Sequence, residues 1–465
     1  MRIKFLGSTR QVTGSCFHLE VGNLSLLIDC GLYQERPYLE RNWNPFPIHP
    51  GKIDFLLLTH AHLDHSGLIP KLIKEGFEGT ILTTPATKEL LPIALIDSAH
   101  IQEEDATFKK KRHQKEGRKG PYPELPLYTA EDVARAIPLL SDIPYGKRHS
   151  LGEGVSVCFH DAGHILGSSM VDLTVRENGF PKTIIFSGDI GQWNKPLIRD
   201  PSVFEKANYL VMESTYANRT HEDPADIESM LSEIINETAA SGGNIIIPTF
   251  AIERAQEVMF YLSRLIRKNR IPQLPTFLDS PMAVDVTEVF FHHPECLDKE
   301  TLDLFQKNQS PFRFPGLKLV NSLQESKAIN SLKKPCIIMA GSGMCTGGRI
   351  KHHLVKNISR QQSTIIFVGY QAEGTLGRQI LERKPYVRIH GQIHPLRARI
   401  TKINSFSAHA DKNGLLKWLS FFKTKPRQIF LTHGDEKVAF DFAQYLSEEG
   451  WNVTVPSYLE EIELD

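Results

Sequence analysis

Short apolar runs rich in β-branched residues, each breaking off at a polar residue near glycine, recur along the chain and predict strands that feed chemically active loops. They fall at residues 24–28 before Asp29, 53–58 before His60, 155–159 before Asp161 and His164, 184–186 before Asp189, and 429–431 before His433, so five predicted strand ends carry a histidine or an aspartate. Helix-like stretches lie between them, at 67–75, which follows Ser66 and stops at Gly76, and at 226–240, which stops at Gly242-Gly243. From about Asn208 the pattern restarts as strand 209–212, helix, strand 244–247 and helix 251–267. That alternation is the one expected of a parallel sheet covered by helices. The prediction is an α/β protein in which a second domain opens near residue 208.

Composition narrows the partners. At 465 residues the chain exceeds one typical core, which agrees with two domains or one domain with a large insertion. Lys+Arg and Asp+Glu both number 54, so no global field draws the protein to nucleic acid or to an anionic membrane, and any polyanion must be held locally. The Lys/Arg-dense stretch 108–120 reads first as a solvated helix end, with a phosphate-tracking strip as the alternative. The six cysteines are scattered without a Cys-x-x-Cys pair, which points away from disulfides and zinc ribbons and toward a reducing cytosol. No apolar run approaches the length of a membrane span, and the N-terminus lacks a signal-like apolar core. The expectation is a soluble, cytoplasmic protein.

The candidate chemistry is concentrated in His60-x-His62-x-Asp64-His65. Neutral imidazoles and carboxylates suit divalent zinc, and alternation lets His60 and His62 share one ion while Asp64 and His65 turn to another. A lone histidine at a strand end is usually structural, but beside this cluster His164, Asp189 and His433 become candidate ligands. Farther along, Gly341-Ser-Gly-Met-Cys-Thr-Gly-Gly-Arg349 joins a predicted strand, 337–340, to a helix. Such a glycine-rich turn is more often only a tight turn, although freed amides and a helix start can bind an anion. His352 and His353 follow it, and adjacent helical histidines face apart, so one at most shares its side. Arg254 and Gln256 receive no role.

Asp29, the 60–65 cluster, His164 and Asp189, in this order, resemble the metallo-β-lactamase superfamily. Glu213-Ser-Thr-Tyr216, Ser407-Ala-His409-Ala-Asp411 and Thr432-His433-Gly434 resemble motifs A, B and C of its β-CASP nucleases, the group of ribonuclease J and the pre-mRNA 3′-end cleavage endonuclease. The resemblance covers the whole chain. It implies an αββα sandwich, residues 1–207 and 401–465, with an inserted β-CASP domain, residues 208–400, built on a parallel sheet flanked by helices.

It further implies two zinc ions per chain: His60, His62 and His164 on one, Asp64, His65 and His433 on the other, Asp189 bridging, and Asp29 orienting a ligand histidine. His409 would be the general acid for the leaving oxygen, with Glu213 orienting it, while the two metals activate hydroxide. Ser342, Gly343 and Arg349 would contact RNA phosphates. The implied activity is a metal-dependent RNA phosphodiesterase, endonuclease or 5′-exonuclease, in RNA processing or decay. The implied partner is RNA, with a homodimer left open. A small-acyl binuclear hydrolase and a catalytically inactive RNA-binding subunit are the alternatives, and the second conflicts with the filled ligand positions. The chain also reads as a short member, without the appended domain of ribonuclease J or the KH modules of archaeal relatives.

Overall fold

The structure is a computed structural model that describes all residues except 118–119, 121, 153, 178–179 and 222–226, together with the side chain of Glu177. Arg118 and Lys119 of the basic stretch, and the predicted helix start at Asp226, therefore lie outside the described residues. The strands, in chain order, are β1 (Arg2–Phe5), β2 (Phe17–Val21), β3 (Leu24–Ile28), β4 (Phe55–Leu57), β5 (Thr80–Thr83), β6 (Leu140–Asp142), β7 (His149–Gly152), β8 (Val155–Asp161), β9 (Ser169–Glu177), β10 (Phe180–Phe186) and β11 (Tyr209–Glu213). There follow β12 (Ile245–Pro248), β13 (Thr276–Leu278), β14 (Leu317–Leu319), β15 (Ile337–Ala340), β16 (Thr364–Phe367), the pair β17 (Tyr386–Ile389) and β18 (Gln392–Pro395), β19 (Arg399–Lys402), β20 (Gln428–Thr432), β21 (Val453–Thr454) and β22 (Glu461–Glu463).

The helices are α1 (Leu63–Ser66), α2 (Ile69–Lys74), α3 (Pro85–Glu116), α4 (Ala130–Ala136), α5 (Ile227–Ala240), α6 (Arg254–Arg267), α7 (Pro281–His292), α8 (Lys299–Gln306), α9 (Leu323–Ile329), α10 (Ile350–Asn357), α11 (Leu376–Leu381), α12 (Lys412–Leu419) and α13 (Glu436–Glu448). No described helix is long and apolar enough to cross a membrane.

The chain divides into two compact units: Met1–Trp193, Asp200–Thr220 and His409–Asp465 form the first, and Asn194–Arg199 with His221–Ala408 the second. In the first unit two seven-stranded sheets face each other, ordered β22-β1-β2-β3-β4-β5-β6 and β21-β20-β11-β10-β9-β8-β7. Alternate residues of both sheets, among them Phe5, Phe17, Phe159, Phe186, Val211 and Phe430, meet in one buried core, which is why these strands read as alternating or continuously apolar. Phe5 sits 5.3 Å from Phe430 and Phe17 6.0 Å from Phe186, ring centre to ring centre. The outer face of one sheet is covered by α1 to α4 and that of the other by α12 and α13, each over its own apolar cluster. This is the expected αββα arrangement.

The second unit carries a six-stranded sheet, β14-β13-β15-β12-β16-β19, in which every pairing is parallel. The strand expected to open the second domain belongs elsewhere. β11 pairs in parallel with β10 and with β20 in the first unit's sheet. Its continuous burial suits a central strand covered on both faces, and that environment cannot be distinguished from a second-domain strand by apolar content alone. A second difference concerns the helix expected at 67–75. Helix begins instead at Leu63, inside the ligand motif, is interrupted at Gly67-Leu68, and resumes at Ile69. Ser66 is therefore helical, and its hydroxyl donates to the carbonyls of Ala61 and His62.

Candidate metal centre

Strand ends of both sheets of the first unit converge on one cluster. Asp29 follows β3 and adopts φ 58°, and His433 follows β20 at φ 48°, a left-handed backbone that costs energy in non-glycine residues and persists where surrounding bonds fix it. Asp29 Oδ1 accepts from the Thr59 amide at 2.8 Å, and the Thr59 hydroxyl donates to Oδ2 at 2.9 Å. The His433 amide donates to the Ser8 carbonyl at 2.7 Å. Residues 63–65 are pinned by amides of Ser15, Cys30 and Leu32 donating to the carbonyls of Asp64, His65 and Leu63. A Cβ on Gly31 would stand 1.7 Å from the Asp64 carbonyl oxygen, so only glycine lets the chain pass there. A Cβ on Gly191 would likewise lie 1.6 Å from the Gly163 oxygen, which keeps the loops of Asp189 and His164 together.

Two donor sets result. His62 Nδ1 lies 3.2 Å from both His60 Nε2 and His164 Nε2, and Asp189 Oδ2 lies 3.4 Å from each of those two nitrogens. In the other set His65 Nε2 is 3.2 Å from His433 Nε2 and 3.2 Å from Asp189 Oδ1, while Asp64 Oδ2 is 3.6 Å from His433 Nε2. Zinc–nitrogen bonds of about 2.0–2.1 Å place tetrahedral ligand atoms about 3.3–3.4 Å apart, and these four separations of the first set match that edge length. Asp189 directs one oxygen at each set. Its Oδ1 is buried and makes no hydrogen bond, although His65 Nε2 is close, which is an arrangement that coordination satisfies and hydrogen bonding does not.

Protonation agrees with the first donor set. Burial pushes the pKa of His60, His62 and His164 down, with neighbouring histidines adding to the effect, and His62 falls to about 3. Neutral imidazoles are the ligating form. Burial would raise the carboxyls of Asp64 and Asp189, but the surrounding histidines hold both well below the usual carboxylate range. His65 is raised because Asp189 and Asp29 outweigh its burial. Asp29 Oδ2 sits 2.7 Å from His65 Nδ1, which leaves Nε2 facing the cluster.

His409 lies outside both sets. Its Nδ1 is 3.2 Å from both oxygens of Glu213, and its Nε2 is 4.0 Å from Asp189 Oδ2. Glu213 ends β11 and is itself fixed, accepting from the Ile190 amide at 2.5 Å. Every ligand candidate named from the sequence thus meets in one unit, with His409 and Glu213 beside them. Two contributors were missed. Thr215 Oγ1 sits 2.9 Å from His433 Nδ1 and donates to the His433 carbonyl, and Thr59 bonds Asp29 and approaches His60 Nδ1 at 3.0 Å. Thr59 adjoins the 60–65 cluster and Thr215 lies within the Glu213–Tyr216 motif, and only that placement signalled them.

The glycine-rich turn differs from expectation. Arg349 belongs to the second unit and turns inward, donating to Asp279 at 2.6 Å and to the carbonyls of Val320 and Asn321 at 3.2 and 2.6 Å. The guanidinium expected to meet phosphate is thus paired with a buried carboxylate. Ser342 Oγ faces Thr346 and Gly347, and Gly343 packs against the Phe250 ring, where a Cβ would come within 2.8 Å. His353 is buried on Asp279 at 2.6 Å, whereas His352 is exposed. Arg254 also turns inward, bonding Glu257 at 2.9 Å.

Residues 9–166 match the metallo-β-lactamase superfamily, 255–380 the β-CASP domain, and 393–456 the Zn-dependent metallo-hydrolase RNA specificity domain. A ribonuclease of Thermus thermophilus is 37% identical over 98% of this chain and 99% of its own length. The transcription termination factor FttA of Methanosarcina mazei is 32% identical and that of Methanocaldococcus jannaschii 31%, each over 95% of this chain and 68% of the relative. A solved structure of a protein of unknown function from Enterococcus faecalis V583 superposes with a TM-score of 0.58 at 13% identity over 100% of this chain and 99% of that one, a likeness of fold alone. With a relative of that identity along its whole length and these domain matches, the chain belongs to the β-CASP family of the metallo-β-lactamase superfamily.

Proposed function

We propose that this chain is a zinc-dependent ribonuclease, acting in RNA processing or decay with two zinc ions per chain. The observation that carries the reading is the pair of donor sets joined through the two oxygens of Asp189, with a histidine outside both standing 4.0 Å from one of them. His60, His62 and His164 would hold one ion and Asp64, His65 and His433 the other, with Asp189 offering an oxygen to each set. When bound, a zinc pair supplies hydroxide at neutral pH and neutralises phosphoryl oxygens during in-line displacement. Asp29 holds His65 through Nδ1, the ring nitrogen away from His433 and Asp189, and Thr215 holds His433 through Nδ1, leaving its Nε2 toward His65 and Asp64.

His409 donates a proton from Nε2 to the leaving 3′-oxygen. Its Nδ1 is occupied by Glu213, which fixes the tautomer. Burial lowers its proton affinity, but Glu213 and Asp189 overcome that and raise the pKa to about 9, so the proton is in place at neutral pH. RNA as the substrate is supported by the names of the relatives and by the matched RNA specificity domain. A cytoplasmic setting is supported by six buried cysteines scattered without a Cys-x-x-Cys pair.

The test combines elemental analysis of the purified protein with digestion of 5′-labelled and internally labelled RNA. The expected result is two zinc ions and EDTA-sensitive cleavage, with product lengths separating endonuclease from 5′-exonuclease action. Absence of zinc, or RNA left intact, overturns the proposal. Thioester or lactone turnover exceeding RNA turnover would transfer it to the acyl hydrolases.

A further inference from the structure

The second unit contains a small two-stranded sheet outside its parallel sheet, formed by β17 and β18. In the antiparallel register Tyr386 opposes Pro395 and Arg388 opposes Ile393, whereas Val387 opposes His394 and Ile389 opposes Gln392. Directly opposed residues share a face. Val387 and Ile389 are 3% and 0% exposed and belong to the apolar cluster that also holds Leu354 and Ile358, so that face looks inward. The other face is open, with Tyr386 66% and Ile393 63% exposed beside Arg388. At the turn His390 stacks on His352 of α10, with ring centres 4.6 Å apart.

Charge sets this face apart in a chain of zero net charge. Residues 383–408 include Arg383, Lys384, Arg388, Arg397, Arg399 and Lys402 and no aspartate or glutamate. Lys384 pairs with Glu382 at 3.9 Å and Arg399 with Glu237, but among the described residues Arg388, which meets the Gly391 carbonyl at 3.2 Å, has no carboxylate partner, and neither has Arg397. A tyrosine with an open ring face, beside an arginine without a carboxylate partner on an open β-surface, matches what unpaired bases and their phosphates require: a stacking platform and local positive charge. A protein partner would also value tyrosine and arginine, and the charge decides between them. A second copy of this chain would bring the same cations against each other.

We infer that the outer face of the β17–β18 hairpin is a binding surface for single-stranded RNA, with Tyr386 stacking on a base and Arg388 meeting the backbone. It rests on the reading of RNA as substrate, and adds a contact made by a different unit from the one that carries the metal ligands. Both side chains are solvent-facing, so their replacement leaves the fold intact, and a thermal melt confirms this before binding is measured.

The experiment measures fluorescence anisotropy of labelled, nuclease-resistant phosphorothioate poly(U) on the zinc-loaded protein, alongside its turnover of bis(p-nitrophenyl) phosphate, for wild type, Tyr386→Ala and Arg388→Gln. Each substitution is expected to weaken RNA binding about five- to tenfold, the range for losing one stacked base or one phosphate contact, with small-substrate turnover unchanged. Arg388→Gln should also reduce the dependence of log K on log salt by about one unit. Wild-type affinity in both variants overturns the inference and leaves the ribonuclease proposal standing. Hairpin-dependent binding without any RNA cleavage does the reverse. Unchanged RNA affinity together with altered self-association in sedimentation assigns the face to a second copy instead, and a wild type that binds no poly(U) also overturns it.

Discussion

His409 and Asp189 stand 4.0 Å apart yet carry different chemistry, because one faces Glu213 and the other faces two sets of imidazoles. Replacing His409 by alanine should leave the zinc content intact and lower RNA turnover about 10²- to 10⁴-fold, the loss expected for a general acid; loss of zinc in that variant would reassign the residue to the coordination shell. The pH profile tests the same assignment. A general acid must be protonated, and the Glu213 carboxylate raises the pKa of His409, so activity falls as pH rises through that value. Glu213→Gln removes the raising charge, and the alkaline limb should then move to lower pH; an unmoved limb would mean that another group donates the proton. Asp29 acts through His65. Asp29→Asn should weaken zinc binding about 10- to 100-fold, as removal of an outer hydrogen-bond partner commonly does, which a chelator competition reads directly.

At the scale of elements, the site depends on short connections held at fixed heights above two sheets. The segment 60–65 leaves β4, turns, and enters a helix of one turn whose carbonyls are bonded by residues 15, 30 and 32. Gly31→Ala would drive a Cβ into the Asp64 oxygen and displace that helix. The expected outcome is a folded protein with reduced zinc content, measured by elemental analysis next to circular dichroism; full zinc occupancy would show that the backbone yields without cost. The sequence did not reveal this geometry. The apolar run 53–58 and the ligand spacing were legible, but the helix was placed after Ser66, since a serine before an apolar stretch normally caps a helix. Here the cap position is His62, and the candidate ligands Asp64 and His65 lie in the helix's single turn. Arg349 shows the opposite limit. A cation after a glycine-rich turn reads as an anion contact, and only Asp279, seventy positions away in sequence, reveals where its charge is satisfied.

For the whole molecule, zinc should behave as part of the fold. Asp29, Asp64 and Asp189 are all gathered near one buried centre, and a ligand bound only by the native state stabilises it in proportion to the logarithm of its concentration over Kd. EDTA should therefore lower Tm, and excess zinc should restore it. An unaltered Tm after complete zinc removal would show that histidine–carboxylate contacts alone hold the centre.

The sequence alone determined the α/β class, the strand ends that carry chemistry and the ligand types, because alternation, apolar runs and the crowded His/Asp motif are local properties of the chain. Only the tertiary structure decided that β11 belongs to the first unit and that Arg349 and His353 serve a buried aspartate. It alone showed that Thr59 bonds Asp29, that Thr215 meets His433 and that the outer hairpin face is open. Each of these depends on which distant residue lies opposite, and strand pairing across more than two hundred positions, as between Glu213 and Thr432, leaves no trace in local spacing.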